Sequence, residues 1–221
     1  MRAKAFRSLL FIGMLALAGL ACNYVTSLIS PSAKPALLTD DFSNSAGGWG
    51  TGTDSQSSVE YVDGGLHMKA FQDNFFTWSN PGHASYQDVH LEVTAQNPSA
   101  DTSPGFGLMC DQQTEHGSYY YFAIRPDGEY VIGKSAAGQD DVFLTNNDKW
   151  AISDQIEKSA ASYRLGADCG NGTLTFYVDG HEIDSASDAT YTDGGVGLFL
   201  WSGDQASGEV TYDDFLMTAL K

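Results

Sequence analysis

The chain has 221 residues, 42% of them hydrophobic and 12% aromatic, enough for one large buried core. Its formal net charge of −17 excludes a phosphate backbone as partner and argues against electrostatic docking on anionic lipid. The 24 glycines point to many tight turns, as all-β folds require.

In chain order, residues 1–21 read as a secretory signal. Arg2, Lys4 and Arg7 form a basic start, and residues 9–21 are an apolar run that ends in small side chains. The run is shorter than the roughly 20 residues of a membrane span. Cleavage here would remove three basic residues and no acidic one, leaving a still more acidic mature chain. The run stops at Gly19-Leu20-Ala21-Cys22, which resembles a bacterial lipobox, although the pattern usually has Leu where this chain has Gly19. The resemblance implies that Cys22 becomes a lipid-carrying N-terminus, holding the protein at the cell surface or envelope. Ordinary cleavage would instead give a soluble secreted protein. Residues 22–36, with Ser27, Ser30, Pro31, Ser32 and Pro35, lack any sustained period and read as a flexible tether.

From residue 37 to 221 the pattern has period two, broken by turn signals. Residues 59–62 lead into Asp63-Gly64-Gly65, and residues 66–70 return. Val89, Leu91 and Val93 share a face. Tyr120, Phe122 and Ile124 do the same before Pro126-Asp127-Gly128. Leu174, Phe176 and Val178 precede Asp179-Gly180, and Val196, Leu198 and Leu200 follow Asp193-Gly194-Gly195. Residues 150–161 are the one helix candidate. Closely spaced strands without intervening helices predict an all-β, two-layer antiparallel sandwich or barrel.

The ordered pieces Asp40-Asp41-Phe42, Gly48-Trp49, Phe106-Gly107-Leu108-Met109-Cys110, Tyr119-Tyr120-Tyr121-Phe122, Leu174 to Gly180, Gly194 to Leu198 and Tyr212-Asp213-Asp214-Phe215 resemble the bacterial concanavalin A-like lectin/glucanase superfamily, in its LamG-like and domain-of-unknown-function-1080-like branches. The resemblance covers residues 37–221. It implies a jelly roll of two antiparallel sheets, and it leaves function open, because relatives include lectins, hydrolases, adhesins and passive modules.

Cys110 and Cys169 are the two cysteines of the domain, and in an exported protein they are expected to pair. Glu182-Ile183-Asp184 invites comparison with the Glu-x-Asp-x-Glu strand of related glucanases, but the next same-face position is Ala186, so a second catalytic carboxylate is missing. The histidines have no zinc spacing. Aromatic residues are the stronger signal. If Tyr120 and Phe122 point inward, Tyr119 and Tyr121 point outward; with Trp78 and Trp201, in polar surroundings, they form a candidate ligand platform. Asp40 and Asp41 stand near one end of the domain, Asp213 and Asp214 near the other. If the first and last strands are neighbours, these four carboxylates are a candidate calcium site. The favoured function is a non-catalytic surface module that recognises glycan or another extracellular ligand. The alternatives are a sugar-processing hydrolase of the 1080-like branch and a structural or adhesive protein-binding module. If Cys22 carries lipid, Cys22→Ser moves the protein from the membrane fraction to the soluble one on cell fractionation; unchanged partition would refute the anchor.

Overall fold

The computed structural model describes residues 34–82, 84–98, 102–114, 117–204 and 207–220; the leader, Cys22 and most of the tether lie outside them. The described residues form sixteen strands: β1 (Ala36–Asp40), β2 (Gly52–Thr53), β3 (Ser57–Val62), β4 (Gly65–Ala70), β5 (Phe76–Ser79), β6 (Val89–Gln96), β7 (Gly105–Gln112), β8 (Tyr119–Ile124), β9 (Glu129–Ser135), β10 (Val142–Phe143), β11 (Ala151–Ile152), β12 (Ser162–Gly170), β13 (Thr173–Val178), β14 (His181–Ser187), β15 (Gly195–Trp201) and β16 (Gly208–Ala219). They build two antiparallel sheets, as the alternation predicts. Sheet A has the order β14-β13-β12-β6-β16-β4-β3-β2, with β1 also paired to β16. Sheet B has the order β10-β9-β8-β7-β15-β5, with β11 also paired to β9.

Local chemistry sets the hairpins. Asp63-Gly64, Asn171-Gly172 and Asp179-Gly180 each place two consecutive residues at positive φ. That geometry matches strand twist and is tolerated by Asx and Gly. These pairs join β3 to β4, β12 to β13 and β13 to β14. The helix candidate at 150–161 is instead β11 followed by turns. There the Tyr163 hydroxyl accepts from the Ala160 N–H and donates to the Glu157 carbonyl, pairing backbone groups that a helix would have used internally.

The core lies between the sheets. Val89, Leu91, Val93 and Ala95 of β6 meet Leu165, Ala167 and Cys169 of β12 on one side, and Phe106, Leu108, Phe122, Ile132 and Leu198 face them from sheet B. Two cross-sheet ties fix this arrangement. Tyr212 of β16 is fully buried, and its hydroxyl accepts from the Gly107 N–H at 2.9 Å and donates to the Phe199 carbonyl at 2.6 Å, so a side chain of sheet A pins two strands of sheet B. Burial holds its phenol well above the usual range. The second tie is covalent: Cys110 of β7 is bonded to Cys169 of β12, as expected from compartment and count.

The disulfide closes a loop between residues 59 apart, which the chain-entropy account values at about 4 kcal/mol. The Cys110→Ala/Cys169→Ala variant is therefore expected to unfold in urea with a free energy lower by about that amount. A loss below about 1 kcal/mol would mean that the bridge does not restrain the unfolded chain in this way.

Candidate functional site

A sheet with one face in water usually carries polar residues there. Sheet A does: His67, Lys69, His90, Glu92, Arg164, Asp168 and Glu209 are all only partly buried and are paired with one another in ion pairs. Sheet B does not. Its outer face carries a second apolar layer of Met109, Tyr121, Ala123, Val131 and Phe199, with Phe76, Tyr119, Phe143 and Trp150 packed on it.

Register explains how this layer forms a groove. Directly opposed residues share a face. Trp78, Phe199, Gly107, Ala123 and Val131 therefore make one outward row across β5, β15, β7, β8 and β9, and Phe76, Trp201 and Gly105 make the next. The large rings of these rows stand on β5 and β15, and the smaller residues Gly105, Gly107, Ala123 and Val131 follow on β7 to β9. A Cβ at Gly105 would come within 3.3 Å of the Trp201 ring and 3.4 Å of Trp150. The result is a groove of about 440 Å³ floored by Gly105 and Ala123. Its rings form a continuous series: Phe76 lies 5.1 Å from Phe199, Tyr119 6.1 Å from Tyr121, Tyr121 6.5 Å from Phe143, Phe143 6.1 Å from Trp150, and Trp150 stacks on Trp201 at 6.3 Å. Asn74 and Asp141 add an amide and a carboxylate to the lining.

Of the four rings expected to form a platform, Tyr119, Tyr121 and Trp201 line this groove. Trp78 is on the same face, 6.0 Å from Phe76, but on the edge strand and outside the groove. Tyr121 is not an exposed ring. It is 7% exposed, because the chain around β10 folds over it and its ring lies flat on β9, where a Cβ at Gly133 would be 2.2 Å from its Cζ. Its hydroxyl is buried without a hydrogen bond of full geometry, although the Asp141 carboxylate is close enough to influence it. Burial, and then the charge of Asp141, push the Tyr119 phenol up to about 12 and that of Tyr121 higher still. Phe76, Phe143, Trp150 and Phe199 were not singled out from sequence. Phe199 was within reach of the alternation, since Leu198 and Leu200 face inward.

The other candidates sit elsewhere. β1 does pair with β16, bringing Asp40 opposite Phe215. Asp40, Asp41 and Asp214 border one hollow and Asp213 a different one, and the register of β16 shifts between Asp213 and Leu216. Asp40 Oδ2 is buried without a partner, yet among the described residues no three His, Cys, Asp or Glu side chains group as a metal-binding set. Glu182 and Asp184 are on β14, an edge strand of sheet A. A slip in register there sets Glu182 opposite Tyr177, on the outer side, and Asp184 opposite Phe176, on the inner side, where the Tyr130 hydroxyl donates to it at 2.9 Å.

No protein-family model matches the chain, and no curated protein sequence does. Solved structures share its fold at low identity. The carbohydrate-binding module CBM66 from Bacillus subtilis superposes with a TM-score of 0.60 at 15% identity, over 78% of this chain and 96% of that one. A protein of unknown function with a galectin-like fold from Bacillus subtilis gives 0.59 at 13% identity, over 84% and 96%. A Bacillus licheniformis β-glucanase gives 0.55 at 12% identity, over 83% and 98%. The fold is thus a concanavalin A-like or galectin-like sandwich.

One cluster on the outer face of sheet A has the residue types of a catalytic centre and a different physical role. His90 Nδ1 lies 2.5 Å from Asp168, and His90 Nε2 lies 3.2 Å from Glu92. A ring with a carboxylate on each nitrogen is satisfied only when both carry protons, so it acts as a cationic clamp and not as a base. Tyr177 donates to the second oxygen of Asp168, and Arg164 donates to Glu92. Hydrogen bonding to Asp168, against the opposing effect of burial, raises the His90 pKa above 6.5. The stability it contributes is therefore complete below pH 6.5 and is lost as the pH rises through the raised value. Wild type is expected to exceed His90→Gln by about 1 kcal/mol in mildly acidic buffer and to converge with it in alkaline buffer, followed by thermal melts. A difference that grows with pH would assign the cluster another role.

Proposed function

We propose that the chain is a non-catalytic extracellular module that recognises glycan through the groove on the outer face of sheet B. The carrying observation is the second apolar layer of that sheet, where buried and half-buried aromatic rings surround a small-residue floor. Sugar hydroxyls gain little net free energy when they exchange water for protein. Affinity for a neutral glycan must then come from apolar ring faces laid on aromatic ones, with a few polar groups to orient them. Asn74, Asp141 and the Tyr119 hydroxyl supply such groups. The carbohydrate-binding module and the glucanase among the structural neighbours make sugars a consistent ligand class. Binding is favoured over hydrolysis because Asp141 is the one carboxylate lining the groove among the described residues, whereas glycoside hydrolysis generally uses two. The buried disulfide supports an oxidising, exported location, and we retain the Cys22 lipid as its means of attachment. Calcium remains a proposal for the hollow beside Asp40, supported by the orphaned Oδ2 of that residue.

A glycan array followed by calorimetry tests this reading. For a glycan that binds, Tyr119→Ala and Trp201→Ala are each expected to weaken affinity by about tenfold or more, and Trp78→Ala by less. Tyr121→Ala is a poorer probe, because removing a buried ring also costs stability. Affinity indifferent to both Tyr119→Ala and Trp201→Ala would place the site elsewhere.

A further inference from the structure

We propose that the preferred ligand of the groove is a sugar bearing a protonated amine, with the ammonium seated at the end formed by Tyr119, Tyr121, Phe143 and Asp141. This inference rests on the groove being the glycan site and adds the charge of the ligand. Aromatic ring faces are electron-rich and attract cations, most strongly where water is excluded. The protein already uses its own rings in this way. The Arg125 guanidinium carbon lies 4.2 Å from the Trp150 ring centroid and 4.9 Å from that of Trp201, and Glu129 balances its charge at 2.7 Å. That end of the ring series is therefore supplied with a cation.

The opposite end has the same kind of walls and the opposite charge. Asp141 is exposed, lines the groove and makes no ion pair among the described residues. The Tyr121 hydroxyl beside it is buried without a complete hydrogen bond. The phenols of Tyr119 and Tyr121 are held neutral by burial and by this carboxylate, so they add no charge that would compete for it. A neutral sugar laid on the rings would desolvate Asp141 and offer it no counter-charge, and an anionic sugar would be repelled. An ammonium satisfies the carboxylate, the phenol and the ring faces together.

The test compares one sugar backbone in two charge states. Binding of a β-1,4-linked glucosamine tetramer and of its fully N-acetylated counterpart to the full chain is measured by calorimetry in mildly acidic buffer, where the amine is charged. The amine form is expected to bind at least about fivefold more tightly, and the preference to shrink as salt is raised. Asp141→Asn should bring the ratio of the two affinities close to one. Asp63→Asn, which removes the same charge from the distant β3–β4 turn at a position where Asn tolerates positive φ, should preserve the ratio. Equal binding of the two tetramers, or tighter binding of the acetylated one, overturns the ammonium preference and leaves glycan recognition standing. A preference that survives in Asp141→Asn, or that Asp63→Asn also removes, overturns the assignment to this end of the groove. Binding of neither tetramer overturns the proposal, and the glycan array then decides independently whether the groove takes other sugars.

Discussion

Adjacent residues of a strand face opposite sides of its sheet, and in sheet B both sides are apolar. The inner side is the sandwich core, and that demand is met by sheet A. Among the described residues the outer side has no third layer of strands to cover it. It is partly roofed by the chain around β10 and β11, which folds back along β9 and brings Phe143 and Trp150 over Tyr121 and Ala123. Gly105 and Ala123 are too small to fill the space between the large rings, and the groove is left there. Fixing the groove depends on holding β7 and β15 in place from behind. The buried Tyr212 hydroxyl does this, bonding to Gly107 and Phe199 from inside the core.

This explains which parts of the molecule were legible in the sequence. Period two identified the sheets, the inward residues and the hairpin turns, because those follow from local geometry. It also turned Tyr119 and Tyr121 to the face opposite Tyr120 and Phe122, where the structure has them. It could not show that Tyr121 would be covered, since the cover comes from a segment more than twenty residues further along the chain, paired through two-residue strands. Trp150 was hidden for the same reason: its segment has the spacing of a weak helix, and its position is set by contacts with Arg125 and Trp201.

Irregular register sets how the carboxylates of two other segments are placed. A period-two count assumes that no residue is inserted, and one extra residue turns the following side chains to the other face. In β16 such an irregularity, with Asp214 at positive φ, leaves Asp213 partly exposed and Asp214 exposed between the buried Tyr212 and Phe215, where regular alternation would turn one of the two inward; they border different hollows. In β14 it separates Glu182 from Asp184, so carboxylates two apart do not share a face as they would on a regular strand. In neither strand does a straight period-two count give the observed placement of the carboxylates.

The distribution of charge gives the groove its character. Among the described residues the cations Lys69, Arg125, Lys134 and Arg164 are committed to Glu209, Glu129, Asp188 and Glu92. These pairs consume much of a scarce supply in a chain of net charge −17. Among the described residues most carboxylates make no ion pair, and their summed field draws cations toward the surface from a distance. At an exposed aspartate in water this attraction is weak and screened. Asp141 instead borders a groove lined by aromatic rings, whose faces attract cations as a carboxylate does. With the groove as the proposed ligand site, the long-range field and Asp141 favour the same sign of ligand charge, and the overall acidity of the chain would act there on specificity as well as on solubility.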